Sequence, residues 1–299
     1  MFRNALFGLQ EKNIYLQSKS NRRETADLHM HTTYSDGVCS PFELIDFAHK
    51  KGVHTISITD HDNLESYDIA KTYAAEKNVQ LIPGIEISAV WNTRDIHILG
   101  YFCDSSNLTL NLALKEQAKR RKERLKLILK KLEAMGVNLS YEKVISYSQD
   151  GSIGRPHIAQ ALLDEEYVKT FQEAFQIYLG DDAGAYVERK GISVEQTIRL
   201  IQQAGGVAVL AHPMRSKCDE IIPDMVEWGL AGIETYCYSQ KGAAARKYSD
   251  LAKRYNIVGA GGSDFHTPQG ACHIGDLKMP VDVIDSLYEK LGSQKAQNI

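Results

Sequence analysis

Short apolar runs punctuate the chain, and each ends in polar chemistry. They are Ala26–Thr32, Thr55–His61, Gln80–Ala89, Ile96–Phe102, Val207–Pro213, Gly232–Tyr236 and Ile257–His266. Runs this short, rich in Ile and Val, suit strands buried on both faces, as in a parallel sheet. Helical patterns lie between them. Ser40 followed by Pro41 and the stretch FELIDFAHKKG has an N-cap, a proline at the first helical position and a closing glycine. Ser193–Ala204, Cys218–Gly229, Gln240–Tyr255 and Val281–Leu291 read as helices in the same way. Strand–helix alternation predicts βα units and a parallel sheet or barrel.

The middle of the chain departs from this rhythm. Leu108–Met135 is one long helical pattern, with Leu125, Ile128, Leu129, Leu132 and Met135 spaced to share a face, and Gly136 ends it. Ser140–Ser148, Pro156–Leu163 and Val168–Leu179 continue as helices. The expected organisation is an α/β barrel in two pieces, residues 25–102 and 191–299, carrying an inserted all-helical domain over residues 103–190. Residues 1–24 read as an N-terminal extension that covers a surface or frays.

Composition narrows the function classes. The chain has 299 residues, a net charge of −3 and 43% apolar residues, so disorder is excluded as the main state. No apolar run is long enough for a membrane helix. A pI near 6.4 argues against wholesale binding to nucleic acid, and no duplex-DNA motif is present. The five cysteines are scattered without a C-x-x-C pair, which speaks against thiolate zinc sites and fits a reducing cytoplasm.

The chemistry sits at the strand ends. The first run delivers His29 and His31, then Asp36; the second His61 between Asp60 and Asp62; the third Glu86; and the fourth begins with His97. The run VAVLAHP delivers His212, and the last run Asp264 and His266. Side chains at i and i+2 of a strand share a face, so His29 with His31, and Asp264 with His266, can converge on one ion. In parallel α/β folds the carboxyl ends of the strands form one face where active sites assemble. Imidazoles mixed with carboxylates suit Mn²⁺, Fe²⁺ or Zn²⁺ rather than Ca²⁺ or Mg²⁺. Nine such side chains are enough for two or three ions with a shared carboxylate. Asp27, Asp60 and Asp62 are candidates to orient the ligand imidazoles.

The strings DLHMHTTYSDG, SITDHDN, GIEIS, HILGY, LAHP and GGSDFH together resemble the polymerase-and-histidinol-phosphatase (PHP) superfamily, in order, over residues 25–103 and 191–280. The resemblance implies a distorted (β/α)7 barrel with a trinuclear site. His29, His31, Glu86 and Asp264 would hold one ion. Glu86 would bridge to a second, held by His97 and His212. Asp36, His61 and His266 would hold the third. The helical insertion with its GRPHIA segment resembles the branch that removes the 3′-phosphate from 3′,5′-bisphosphonucleotides or trims short RNA from its 5′ end. In that branch Arg155 and His157 would contact phosphate, with Arg215 beyond the LAHP motif and Arg189 and Lys190 as further candidates. Met214 and Ser216 depart from the branch's pattern around Arg215. Arg155 would stand at a helix N-terminus opened by Pro156, where anions are favoured.

The expected activity is metal-dependent hydrolysis of a small phosphorylated substrate, a nucleotide or short RNA, with His212 or His157 as the acid for the leaving oxygen. Rival readings are a histidinol-phosphatase-like enzyme, an amidohydrolase-type barrel and a non-catalytic PHP module. The basic stretch Lys115–Lys131 reads as a solvated helix face with its apolar side inward, with guidance of a nucleotide backbone as the alternative.

Overall fold

The computed structural model describes residues 25–148, 151–239 and 242–297. The expected extension over residues 1–24 lies outside them. Eight strands form one sheet: β1 (Thr25–Asp27), β2 (Thr55–Ile58), β3 (Gln80–Trp91), β4 (Arg94–Tyr101), β5 (Val207–Leu210), β6 (Gly232–Cys237), β7 (Val258–Gly262) and β8 (Met279–Pro280). Their order is β7-β6-β5-β4-β3-β2-β1-β8. The sheet curls until its ends meet. Just past β1 and β7, the Leu28 and His31 amides donate to the Gly261 and Phe265 carbonyls, and the Asp264 amide donates to the His29 carbonyl. Gly262 permits that approach, because a Cβ there would lie 2.2 Å from the His29 amide nitrogen. The result is a seven-stranded barrel, with the short β8 antiparallel on β1 at the seam.

The barrel is not all parallel. β1, β2 and β3 run parallel, as do β5, β6 and β7, but β4 is antiparallel to both neighbours. The cause is local. Asn92 and Thr93 alone separate β3 from β4, with Asn92 at φ 54°, and so short a turn can only return the chain as a hairpin. The inversion explains why His97, near the start of its strand, joins residues at the ends of the others.

The ladders also stop earlier than the apolar runs suggested. His29, His31, His61, His212, Asp264 and His266 all lie beyond the strands, His61 in an isolated parallel bridge to Glu86. His212 (φ 25°) and Asp264 (φ 53°) adopt positive φ, which a strand does not allow. The helix Glu65–Glu76, unread in the sequence, has Leu64 at its N-cap without a side-chain cap bond and buries mostly small residues, so its signal is weak. The expected helix at Cys218–Gly229 resolves into a 3₁₀ turn, Asp219–Ile221, and a short helix, Ile222–Glu227, with Pro223 in its first turn. The expected Val168–Leu179 begins later, at Phe171 behind the Thr170 cap, and ends as one π-helical turn.

Between β4 and residue 190 the described chain is helical. Leu125, Ile128, Leu132, Val144, Ile158, Leu162 and Leu179 form a core apart from those of the barrel. The first turns of the 27-residue helix Leu108–Ala134 belong to the barrel instead, where Leu110 and Leu114 pack with Ile198 and Ile201. The helical layer docks beside the first ligand loop. The Ser152 amide donates to the Tyr34 carbonyl, and a Cβ on Gly151 would come within 2.4 Å of the same oxygen. Among the described residues no helix is long and apolar enough to cross a membrane.

Candidate metal centre

The nine imidazoles and carboxylates converge at the barrel mouth. Glu86, 1% exposed, is the hub. Its Oε2 faces His29 Nε2 (3.4 Å), His31 Nε2 (3.3 Å) and His61 Nδ1 (3.0 Å), while its Oε1 faces His97 Nδ1 and His212 Nε2, both at 3.0 Å. Asp264 Oδ1 lies 3.4 Å from both His29 Nε2 and His31 Nε2. Asp36 stands 3.5 Å from His266 Nε2 and 3.7 Å from His61 Nε2. Four overlapping groups have their ligand atoms within 4.8 Å of one another: His31, Asp36, His61 and His266; His29, His31 and Asp264; His29, Glu86 and His212; and His61, Glu86 and His97.

Surrounding groups aim the lone pairs inward. His29 Nδ1 lies 2.9 Å from Glu234 Oε1, so a proton on Nδ1 leaves Nε2 free toward the centre. Glu234 is fully buried on β6, and its Oε2 accepts from the His212 amide at 2.6 Å. Sequence reasoning passed over it. The signal was there, a single carboxylate inside the apolar strand GIETY. His31 Nδ1 meets Ser35 Oγ (3.3 Å), which itself donates to Asp60 at 2.6 Å. His266 Nδ1 donates to the Asp264 carbonyl at 2.8 Å.

Asp27, Asp60 and Asp62 do not touch ligand imidazoles, contrary to expectation. Asp27 accepts from the Ser263 and Gly275 amides, Asp60 from Thr32 and Ser35, and Asp62 from the Ser88 amide and Arg121. They hold the loops that carry the ligands. Glu234→Gln should therefore leave the fold intact yet weaken metal binding about 10–100-fold, read by titrating metal into stripped protein. Unchanged affinity would show that His29 needs no such partner.

The electrostatics describe a site built around cations. Burial opposes charge on Glu86, Asp36 and Asp264, but the facing imidazoles outweigh it and hold all three well below the usual carboxylate range. Burial also opposes charge on His31, yet Asp264, Glu86 and Asp36 raise it to about 10. His97 goes the other way: burial, only partly countered by Glu86, takes it down to about 4. His29 Nε2, His31 Nε2, Asp36 Oδ1, His61 Nδ1 and His212 Nδ1 are buried without a hydrogen-bond partner. Such a concentration of unsatisfied atoms calls for an ion, and this mix of nitrogen and oxygen donors fits a divalent transition metal.

The phosphate candidates are dispersed. Arg215, 61% exposed at the rim, donates to Asp264 Oδ2 at 3.1 Å. His157 is buried with both nitrogens engaged: Nδ1 accepts from the Gly154 amide and Nε2 donates to the Ser35 carbonyl. Arg155 turns to the Leu179 carbonyl, Asp181 and Asp95 rather than to the nine residues. Lys190 is exposed, and Arg189 bonds Asp95 at 3.0 Å. On the basic helix every lysine from Lys115 to Lys131 is exposed, as a solvated face requires, but Arg121 and Arg124 are buried. Arg121 donates to Asp62 (2.7 Å), Ser88 (2.8 Å) and the Ile153 carbonyl (3.0 Å), tying the helical layer to the loop that carries His61.

Comparison with known proteins agrees with this geometry. The family model described as PHP domain matches residues 27–198. A 5′-3′ exoribonuclease of Haemophilus influenzae is 34% identical over 269 residues, covering 88% of this chain and 98% of the relative. A 3′,5′-nucleoside bisphosphate phosphatase of Chromobacterium violaceum is 31% identical over 256 residues, covering 83% and 90%. A solved structure described as a metal-dependent phosphoesterase, from Bifidobacterium adolescentis, superposes with a TM-score of 0.83 at 27% identity, covering 91% of this chain and 98% of that one.

Proposed function

This chain belongs to the PHP domain family and is a metal-dependent phosphoesterase, and on that premise we propose that it hydrolyses phosphorylated nucleotides: 3′,5′-bisphosphonucleotides, short RNA from the 5′ end, or both. The observation that carries the reading is Glu86, whose two oxygens face different imidazole sets and so can bridge two cations. We assign two to three Mn²⁺, Fe²⁺ or Zn²⁺ ions. His29, His31, Glu86 and Asp264 would hold one, Glu86, His97 and His212 another, and Asp36, His61 and His266 the third. When bound, such ions supply an activated water and stabilise charge on the phosphoryl oxygens.

The chain's own residues do the rest. Glu234, Ser35 and the Asp264 carbonyl keep three imidazoles in the tautomer whose Nε2 lone pair faces the centre. The exposed guanidinium of Arg215 is free to swing from Asp264 to the reacting phosphoryl group. His212, with Nε2 turned to Glu86, serves better as a ligand than as the acid for the leaving oxygen. His157 fixes the loop that carries Asp36, through the Ser35 carbonyl. All five cysteines are free and buried, which supports a reducing compartment such as the cytoplasm.

A phosphate-release screen tests the reading. With Mn²⁺ added, turnover should appear on adenosine 3′,5′-bisphosphate and on 5′-phosphorylated short RNA, and exceed that on histidinol phosphate. A preference for histidinol phosphate would overturn the substrate class.

A further inference from the structure

One short segment of the helical layer reaches two ligand loops at once. Residues 152–157 lead from a loop into the ten-residue helix Arg155–Asp164. The Ser152 amide donates to the Tyr34 carbonyl, and His157 Nε2 donates to the Ser35 carbonyl, both at 2.9 Å. The Gly154 amide donates to His157 Nδ1 at 3.0 Å, which leaves the ring proton on Nε2 for Ser35. The Ile153 carbonyl accepts from Arg121 Nη1 at 3.0 Å. The same guanidinium meets Asp62 through Nε and Nη2, both at 2.7 Å, and Nη2 also donates to Ser88 Oγ. The segment therefore grips residues 34 and 35, next to Asp36. Through Arg121 it also grips Asp62, next to His61.

Asp36 and His61 face the same ion, together with His266. The three are linked: the Asn63 side chain donates to the Tyr34 carbonyl at 3.4 Å, and the Val38 amide to the His266 carbonyl at 2.9 Å. The remaining ligands are held by the barrel itself. Glu86 and His97 sit in the β3–β4 ladder, where His97 pairs with Ser88. His29 and Asp264 meet at the seam, and Glu234 holds both His29 Nδ1 and the His212 amide. The layer also reaches Asp95 on β4 through Arg155 and Arg189, but β4 is paired with β3 along its whole length and does not need that contact. His266, 31% exposed, is the most open of the nine ligands. Asp36 Oδ1 and His61 Nδ1 are buried without a hydrogen-bond partner, as befits atoms meant for a cation.

We propose that Arg121 and His157 are positioning residues for the ion at Asp36, His61 and His266, and that this ion alone depends on the docked helical layer. The proposal deepens the metal-dependent phosphoesterase reading above and rests on it. Neither residue is a ligand. His157 has both nitrogens engaged, and Arg121 carries a positive charge of its own. They act on the backbone and side chains beside the ligands. Loops open more readily than paired strands, so ligands on loops need outside bracing that ligands in a ladder do not. Loss of a partner behind a ligand weakens metal binding at that site. The layer thereby sets the occupancy of one ion without supplying a ligand to it.

The test counts ions. Stripped wild type, His157→Phe and Arg121→Lys are dialysed against graded free Mn²⁺, and bound metal per chain is measured. Phenylalanine keeps a planar ring but removes the donor to Ser35. Lysine keeps the charge beside Asp62 but lacks the fork that spans Asp62, Ser88 and Ile153. Wild type should saturate at three equivalents. In each variant one equivalent should bind about tenfold to a hundredfold more weakly, the range for a lost partner behind a ligand, while the other two keep wild-type affinity. Arg121→Lys decides the matter if His157→Phe does not fold. Equal weakening of all three ions would show a general loosening of the fold and overturns the proposal, as does an unchanged third equivalent. Saturation of wild type at one or two equivalents overturns it too, since no ion then occupies this site. A wild type that binds no Mn²⁺ would instead sink the metal-dependent reading itself.

Discussion

Glu86→Gln should leave a folded protein whose phosphate release falls about a thousandfold or more, the scale expected when several kcal/mol of metal-derived stabilisation is lost. The amide has nearly the shape of the carboxylate, so packing on β3 is preserved. Its charge and its bridging capacity are not. Glu86 faces five imidazoles at 3.0–3.4 Å, and one amide nitrogen would turn a donor toward lone pairs meant for a cation. The two ions that share this residue should be affected together, so metal content per chain should fall by more than one equivalent. Elemental analysis beside a saturating-Mn²⁺ rate measurement gives both numbers. Full metal content with wild-type turnover in the variant would remove Glu86 from the bridging position.

Chelation should abolish turnover and also change how stability depends on pH. In the metal-free protein the proton is the counter-ion of the carboxylate cluster. His31, raised from an ordinary 6.5 to about 10, contributes stability that is complete below pH 6.5 and is lost as pH rises through 10. Asp36, Glu86 and Asp264, all lowered, contribute stability that is present above the usual carboxylate range and is lost in acid. The stripped protein should therefore melt at a lower temperature at pH ~9.5 than at pH ~6.5. Cations need the same imidazoles neutral, so their grip tightens over that interval as protons leave. At a free-metal level about a hundredfold above Kd each site adds about 2.7 kcal/mol. The gap in melting temperature between loaded and chelated protein should widen from pH ~6.5 to ~9.5. A gap that stays constant or narrows would show that protons and metals do not compete for His31.

Much of the centre was legible because its residues come as short motifs tied to strand ends. The pairs His29 with His31 and Asp264 with His266 announce shared placement through spacing alone. What spacing does not carry is the direction of second partners. Glu234 reaches His29 across a separation of 205 residues, and nothing near it in sequence marks that link. Asp62 looked like a companion of His61, but left-handed backbone at φ 51° turns it outward to Arg121. Arg121 and Arg124 carried the same signature as their lysine neighbours. Helical periodicity assigns them a face, but burial of that face depends on a layer that the pattern alone does not dock. The strand directions were misread at β4 for a related reason. A two-residue turn decides a hairpin, yet Asn92 and Thr93 stand out little between two apolar runs.

The seam of the barrel has a kinetic side. Its closing hydrogen bonds join residues 28–31 to residues 261–265, almost the whole described chain apart. A large loop entropy is lost before that contact returns anything, which places closure late and makes it slow. The ligands come from both sides of the seam, His29 and His31 on one and Asp264 and His266 on the other, so a complete binding site does not exist until the seam has formed. Metal therefore arrives after the folding barrier has been crossed. It acts on the lifetime of the closed barrel, slowing unfolding while leaving the rate of folding nearly unchanged.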